Sequence, residues 1–284
     1  GEQLEDPAEA KKRGAKSVVR RGITRIVTPG TLTEDDLLDA RAANRIAAMA
    51  RLASGEAALA WADVSDGEFA AMSLDANGLE AELAALNPSE ILCADEDARL
   101  ASELAPHAVI TPRARAKFDS GAGERRLKQR FEVQSLDGFG AFSKAELSAL
   151  GSLLDYLELS QAGAPARLRP PQSLPSGAAM VIDPAARMSL EIDRTLQGSR
   201  KGSLIDAIDR TLTAPGARLL ADRLARPSMS LPEIHDRLDA AQYFLENRSL
   251  REQTRERLKA AGDPARCLSR LLLGRGGPRD LAAI

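Results

Sequence analysis

Three short apolar runs separated by turn residues constrain the fold of this chain more than any other feature. The runs cover residues 45–52, 57–64 and 68–74, and they are broken by Ser54-Gly55 and by Ser65-Asp66-Gly67. Short apolar runs with Gly, Asp and Ser between them are typical of consecutive antiparallel strands. The pattern therefore predicts an antiparallel meander over residues 43–74.

After the meander, helical and strand patterns alternate. They indicate a helix from 78 to about 86, a strand around Ile91-Leu92, a helix near 96–104 and a strand at Val109-Ile110, then two helices near 124–134 and 143–160. A meander followed by such alternation predicts an α/β domain with a mixed sheet and flanking helices.

The flanking regions differ from this domain. Before it, Asp6-Pro7-Ala8-Glu9 predicts a helix start and residues 17–28 predict a half-exposed strand. Residues 161–178 are rich in Pro, Gly and Ala without a period, which is typical of a linker. Beyond the linker, a strand at 179–182 leads into amphipathic runs separated by Pro and Gly, so a mainly α-helical domain is expected over 179–284.

Composition excludes several classes of site. The two cysteines, Cys93 and Cys267, stand far apart and outside any C-x-x-C spacing, and the chain has only two histidines, so neither a disulfide framework nor a zinc site is expected. No apolar run approaches the ~18–20 residues that span a bilayer, so we expect no membrane segment and a cytoplasmic location. The start lacks Met and the last helical pattern stops after two turns, so the chain is expected to be a piece of a longer protein.

One acidic turn invites an enzymatic interpretation. Asp63 ends a predicted strand and opens the turn to Asp66-Gly67, and an aspartate in such a meander could serve a metal-dependent, RNase H-like nuclease. The alternative is an ordinary hairpin turn, which is much commoner because Asp, Ser and Gly are turn formers. The Gly- and Lys-rich run 198–203 lacks the G-x-x-x-x-G-K-[ST] spacing and favours a loop with Ser203 as helix cap.

Two basic stretches could contact phosphates. Residues 11–25 hold seven Lys or Arg and no acid, and residues 111–130 hold seven against Asp119 and Glu124. A solvated face is the competing interpretation, since Lys and Arg are mostly exposed. The candidate phosphate-contacting residues in the first stretch are Lys11, Lys12, Arg20 and Arg21.

The chain carries, in this order, the segments 26–31 (IVTPGT), 63–69 (DVSDGEF) and 154–161 (LDYLELSQ). Together they resemble motifs of the MutS family of DNA mismatch-repair proteins. Residues 26–31 (IVTPGT) are similar to the passage from the mismatch-binding domain into the connector. Residues 63–69 resemble the family's D-x-S-T-G-x-F hairpin, with Asp66 where Thr is usual, and residues 154–161 match the last helix of the connector.

The second half continues the resemblance. Residues 186–192 are similar to T-R-R-N-L-E-L, with Ala186, Met188 and Ser189 departing from it. Residues 213–220 follow T-x-M-G-x-R-x-L with Pro215 in place of Met, and residues 274–281 are a close match. The resemblance therefore covers nearly the whole chain.

The resemblance implies a division into four parts. Residues 1–28 would be the end of the mismatch-binding domain, 29–160 an RNase H-like connector, 161–178 a linker and 179–284 the start of the helical core or lever domain. It implies that the parent protein binds mismatched double-stranded DNA, hydrolyses ATP with Mg²⁺, forms a homodimer and docks a MutL-type partner at the connector. The mismatch-inserting Phe and the ATPase are expected outside this chain, which itself is expected to hold no catalytic residue, cofactor or metal.

We therefore expect this segment to act as a relay and partner-docking element. The basic residues of 11–25 would lie near the DNA backbone in the intact protein. The alternatives are a metal-dependent nuclease using Asp63, and a free-standing DNA-binding module, against which the net charge of −2 argues.

Overall fold

The chain begins with a short helix flanked by two paired strands. The computed structural model describes residues 2–3, 5–14, 17–22, 26–75, 78–161 and 166–284. Helix α1 (Pro7–Lys12) lies between β1 (Glu2–Gln3) and β2 (Arg21–Gly22), which pair antiparallel. Asp6 caps α1 by accepting a 2.8 Å hydrogen bond from the N–H of Ala8, as the Asp-Pro start predicts. Of the strand predicted over 17–28, only Arg21–Gly22 forms among the described residues, and 23–25 lie outside them.

A six-stranded mixed sheet forms the centre of the first half. Its strands are β3 (Ile46–Arg51), β4 (Ala57–Asp63), β5 (Glu68–Leu74), β6 (Glu90–Ala94), β7 (Val109–Arg113) and β8 (Gln172–Leu174). They are ordered β7-β6-β3-β4-β5-β8. The antiparallel β3-β4-β5 meander is as predicted, while β6 runs parallel to β3 and to β7, and β8 runs parallel to β5.

Helices cover both faces of this sheet. They are α2 (Gly78–Leu86), α3 (Ala98–Leu104), α4 (Ser120–Phe131) and α5 (Lys144–Ser160), with 3-10 turns at Pro29–Thr31, Asp35–Leu37, Asp95–Asp97 and Arg115–Phe118. Because alternate strand residues point to opposite faces, Ala60 packs with Leu150 of α5, whereas Trp61 packs with Leu79 of α2. The α/β class predicted from the sequence is confirmed, with the sheet between α4–α5 and α2–α3.

The two helices on one face approach each other unusually closely at a pair of glycines. A Cβ placed on Gly151 of α5 would lie 2.3 Å from the Cα of Gly123 of α4, and one on Gly123 would lie 2.2 Å from the carbonyl oxygen of Leu147. Only hydrogen fits at these two positions, so the glycines set the distance between α4 and α5.

The second half is helical, as predicted. Its helices are α6 (Pro184–Ser189), α7 (Leu204–Ile208), α8 (Ala214–Ala225), α9 (Leu231–Glu246), α10 (Arg248–Lys259), α11 (Pro264–Leu272) and α12 (Pro278–Ala282). We call residues 184–282 the helical segment. Helices α9 and α10, which are described throughout, bury none of their residues. Within the described ranges, no helix is both long and apolar enough to cross a membrane.

Two expectations about the junction between the halves need correction. The strand predicted at 179–182 is wrong: Ala179 forms only an isolated bridge to Ser228, because this segment lies against the α8–α9 connection rather than a sheet edge. The predicted linker 161–178 contains β8, which is hydrogen-bonded to the sheet, and buried Leu168. Residues 162–165 of that linker lie outside the described residues.

Candidate functional site

The polypeptide just before β3 is held by arginines that reach across from the helical segment. Arg218 of α8 donates to the carbonyl oxygen of Ala40 at 2.8 Å, and Arg266 of α11 donates to those of Asp39 and Ala42 at 3.1 and 2.8 Å. Both guanidinium groups are deeply buried. A guanidinium has five donors in a rigid planar arrangement, which allows one side chain to satisfy two carbonyl groups of an irregular segment.

A third arginine makes the same crossing in the opposite direction. Arg41 donates to the carboxylate of Asp209 at 2.8 Å and to the hydroxyl of Thr211 at 2.7 Å. Burial alone would raise the pKa of Asp209, but the hydrogen bonds from Thr211 and Arg41 outweigh it and hold the pKa well below its ordinary value. Asp209 is therefore ionised at neutral pH and anchors the 39–42 segment to the end of α7.

Arg45 joins three elements. Its two terminal nitrogens donate to the two carboxylate oxygens of Asp222 on α8, at 2.8 and 2.9 Å, and its Nε donates to Glu68 of β5 at 2.9 Å. Burial disfavours the charged guanidinium, but the hydrogen bonds and charges of the two carboxylates more than offset this and raise the pKa of Arg45. The pair with Asp222 has the two-pronged geometry that is the strongest form of ion pair in proteins.

A second set of contacts links the C-terminal end of α8 to the sheet and to α2. Trp61 donates from Nε1 to Glu68 at 2.8 Å, and the guanidinium carbon of Arg226 lies 4.8 Å from the centroid of the Trp61 ring. Arg226 also lies 2.8 Å from a carboxylate oxygen of Glu82 on α2, close enough for an ion pair although the angle does not suit a hydrogen bond. Asp222 lies near the end of α8 and Arg226 directly follows it, so the C-terminal end of this helix contacts Arg45 through Asp222 and Trp61 through Arg226.

We call this set of interactions the arginine clasp. Its members are Arg41, Arg45, Arg218, Arg226 and Arg266, with their partners on the opposite side of the boundary. The clasp fixes the position of the 39–45 segment and of the β4–β5 hairpin relative to α8 and α11. Its arrangement suits mechanical coupling of two domains.

The acids considered for a nuclease are engaged structurally. Asp63 accepts from the N–H of Asn44 with one oxygen, and from the N–H and hydroxyl of Ser65 with the other, at 2.8, 2.9 and 2.5 Å. Among the described residues, no group of three or more His, Cys, Asp or Glu side chains could hold a metal ion. The nuclease alternative is therefore not supported, and Asp63 acts as the turn-former of the competing interpretation.

The predicted DNA-backbone residues lie apart from the clasp contacts. Lys11 and Lys12 are exposed at the end of α1, and Arg20 and Arg21 are exposed at β2. Residues 15, 16 and 23–25 of the same basic stretch lie outside the described residues. The structure leaves the role of these four cations as a prediction.

The second basic stretch is largely neutralised by the protein itself. Arg113, Lys117 and Arg126 converge on Asp155 at 2.7, 3.1 and 2.6 Å. Arg125, by contrast, is exposed on α4 and lines an open groove with Gln129.

Sequence reasoning did not single out the arginines of the clasp. Arg218 stands within the 213–220 motif, but its partner is a backbone carbonyl 178 residues away. Every residue type has a backbone carbonyl group, so the sequence does not indicate which residues accept these hydrogen bonds. The only available indication was an arginine placed among apolar residues.

Comparison with protein families gives two matches along the chain. Residues 44–169 match the family model described as MutS domain II, and residues 185–284 match MutS domain III. Among curated proteins, the DNA mismatch repair protein MutS of Caulobacter vibrioides is 54% identical over 287 residues, covering 100% of this chain and 32% of the relative. The MutS proteins of Cereibacter sphaeroides (strain ATCC 17025 / ATH 2.4.3) and Rhodopseudomonas palustris (strain HaA2) are 53% and 49% identical, each over 100% of this chain and 32% of the relative. The chain thus spans about a third of the length of the curated relatives it matches.

Proposed function

This chain belongs to the MutS family and carries its domains II and III, and on that premise we propose that it acts as the mechanical relay of a mismatch-recognition protein. The α/β domain is the connector and the helical segment is the start of the core. The division that we propose is 1–28 for the end of the mismatch-binding domain, 29–160 for the connector, 161–178 for the junction and 179–284 for the core.

The arginine clasp is the observation that carries this proposal. The 39–42 segment lies between β3 and the N-terminal residues for which we propose proximity to DNA, and Arg218 and Arg266 hold it to two core helices. A displacement of that segment must therefore either move α8 and α11 or break buried hydrogen bonds. Because broken bonds would leave buried carbonyl groups unsatisfied, movement of the helices is the less costly outcome.

The relay is tested by loosening the clasp in a complete MutS protein that contains this segment. We expect Asp222→Asn to reduce the stimulation of ATP hydrolysis by mismatched DNA, with a smaller effect on DNA affinity and on the basal ATPase rate. Asp236→Asn, on the exposed surface of α9, is the matched control. Equal stimulation in Asp222→Asn and in the wild type would contradict the relay.

The DNA contact is proposed for the basic residues before the connector. In the intact protein, Lys11, Lys12, Arg20 and Arg21 would lie near the phosphate backbone of mismatched double-stranded DNA. Their exposure supports this, since counterion release requires cations that are free to approach phosphates.

Charge reversal tests this contact separately from the relay. Lys11→Glu with Arg20→Glu should weaken heteroduplex binding and flatten its dependence on salt concentration. Reversal of two exposed cations of the connector, Arg99 and Lys144, is the matched control. Unchanged affinity and salt dependence in the Lys11 and Arg20 variant would remove these residues from the DNA interface.

The remaining functions are proposed for the parent protein on family membership. They are ATP hydrolysis with Mg²⁺, homodimer formation, docking of a MutL-type partner on the connector, and a cytoplasmic location. We assign no ATP- or Mg²⁺-binding residue to this chain, whose sequence lacks the G-x-x-x-x-G-K-[ST] spacing. A pull-down of a MutL-type protein by the connector, lost when the exposed α4 side chains Arg125 and Gln129 are changed to Glu, would test docking on the groove of that helix.

A further inference from the structure

A cavity of about 400 Å³ lies where the β4–β5 turn faces the helical segment. Asp66 and Gly67 of the turn line one side, and Arg218 and Asp222 of α8 line the other, with Leu268 of α11 beneath them. The N–H of Arg169, which also lines the cavity, donates to the carbonyl oxygen of Gly67 at 2.8 Å and holds the turn at this place. The turn therefore faces the core helices across the cavity.

Asp66 is a partly buried carboxylate whose negative charge is stabilised by few neighbouring groups. Its side chain is only 19% exposed, and the nearest guanidinium, that of Arg169, stands 3.9 Å away. Within the described part of the chain it accepts one hydrogen bond, from the N–H of Glu68 at 2.9 Å. Two further carboxylates, Asp63 and Glu68, belong to the same hairpin.

The cations on the opposite wall are already occupied. Arg218 is 2.7 Å from the carboxylate of Asp263 and donates to a backbone carbonyl, and Arg266 behind it holds the 39–42 segment. Arg167 lines the cavity from its exposed rim, and Asp222 adds a negative charge that is paired with Arg45. Asp66 thus lies across the cavity from these charged groups and forms no close ion pair with them.

The cost of ionising Asp66 in this place is visible in its pKa. Burial, with a smaller contribution from the charge of Asp63, raises the pKa of Asp66 to about 6. A group whose pKa is raised on folding contributes its full stability when it is protonated, and that contribution is lost as the pH rises through the raised value. The arrangement seen here is therefore favoured by neutral Asp66.

We propose that Asp66 makes the contact between the connector hairpin and the core helices sensitive to protonation. With Asp66 neutral, the turn rests against the cavity as in this structure. With Asp66 ionised, its side chain turns towards the guanidinium of Arg169 and solvent, and the contact with α8 loosens. This device concerns the segment itself and does not depend on DNA binding or ATP hydrolysis by the parent protein.

The single tryptophan of the chain is placed to report this change. Trp61 is buried, donates to Glu68 two residues beyond Asp66, and stacks with Arg226 of α8. In the 284-residue chain, Trp61 fluorescence should titrate between pH 5 and pH 8 with a midpoint near 6. The titration should vanish in Asp66→Asn, which keeps the shape of the side chain, and in Asp66→Thr.

One control variant and one further measurement complete the experiment. Asp236→Asn should titrate like the wild type, since Asp236 is exposed on α9. In urea denaturation, the unfolding equilibrium constant of the wild type should rise by about tenfold more than that of Asp66→Asn between pH 5 and pH 8. The proposal is overturned if the fluorescence titration persists in Asp66→Asn, or if the two denaturation profiles run parallel.

Discussion

Arg45 donates two parallel hydrogen bonds to Asp222, at 2.8 and 2.9 Å, and so joins the start of the interior strand β3 to the C-terminal part of α8. A paired guanidinium and carboxylate fix an angle as well as a distance, because both groups are planar. The Arg45 side chain is 8% exposed and that of Asp222 is 41% exposed. The charge of Arg45 is therefore much more shielded from solvent than that of Asp222, and Arg45 keeps Glu68 as a second partner.

Truncation of this arginine should be strongly destabilising. We expect Arg45→Ala to lower the free energy of unfolding by about 3–5 kcal/mol, because it leaves Glu68 with an uncompensated, partly buried charge. Asp222→Asn should cost about 1 kcal/mol, since its site is solvent-screened. Urea denaturation followed by Trp61 fluorescence measures both changes.

The geometry of the pair is tested by keeping its charge. Arg45→Lys retains a cation but loses the two-pronged contact, so its stability should lie between those of the wild type and Arg45→Ala. Arg99→Ala is the control, because Arg99 is 92% exposed and its partner among the described residues is Glu103 on its own helix. Equal stability of Arg45→Lys and the wild type would mean that charge alone maintains the contact.

The hold of the core on the 39–42 segment should be measurable by proteolysis. Arg266→Lys removes the planar group that satisfies the carbonyls of Asp39 and Ala42 while keeping the number of trypsin sites constant. We expect trypsin to cleave after Arg41 about tenfold faster in this variant, because local opening of the segment becomes less costly. Cleavage at the same rate as in the wild type would show that Arg266 does not restrain the segment, and Arg99→Lys controls for the substitution itself.

The glycine contact between α4 and α5 makes a separate prediction. Gly123→Ala should lower the free energy of unfolding by about 1–3 kcal/mol or more, since the new methyl group overlaps the carbonyl oxygen of Leu147. Gly138→Ala is a matched control, because a Cβ there meets nothing within 4 Å. Thermal denaturation of both variants distinguishes a packing requirement from a general effect of replacing glycine.

The sheet could be predicted from the sequence because its signals are local. The β3-β4-β5 meander follows from apolar runs of strand length with Ser-Gly and Asp-Gly breaks between them, and the structure has these strands within about one residue of the predicted bounds. The strand β8 was missed because it has only three residues and follows a Pro-rich stretch, and its pairing with the neighbouring β5 is what makes it a strand. At 179–182 the opposite happened: the pattern favoured a strand, but no sheet edge lies beside it.

The candidate site could not be predicted in the same way because its contacts are distant and involve the backbone. The partners of Arg266 are carbonyl groups 224 and 227 residues earlier in the chain, and any residue type could supply them. The basic run 111–130 was visible in the sequence, yet Asp155, which gathers three of its cations, belongs to another helix. Charge runs indicate where cations are, and only the fold decides which of them remain available to a partner.

Asp155 gives the last prediction, on acid stability. Burial would raise its pKa, but hydrogen bonds from Arg113 and Lys117 and the charge of Arg126 outweigh that effect and lower it. A carboxyl group whose pKa is lowered on folding contributes stability above its ordinary pKa, and this contribution is lost as the pH falls through the lowered value.

Asp155→Asn should therefore lower the free energy of unfolding by about 1–3 kcal/mol at pH 7. The difference from the wild type should shrink below about pH 4, because the carboxyl group of the unfolded wild-type chain begins to take up a proton there while that of the folded chain is still ionised. Asp137→Asn, in an exposed turn, should differ from the wild type by the same small amount at both pH values. Denaturation at pH 7 and pH 3 measures this, and a difference for Asp155→Asn that stays constant with pH would assign its role to packing instead of charge.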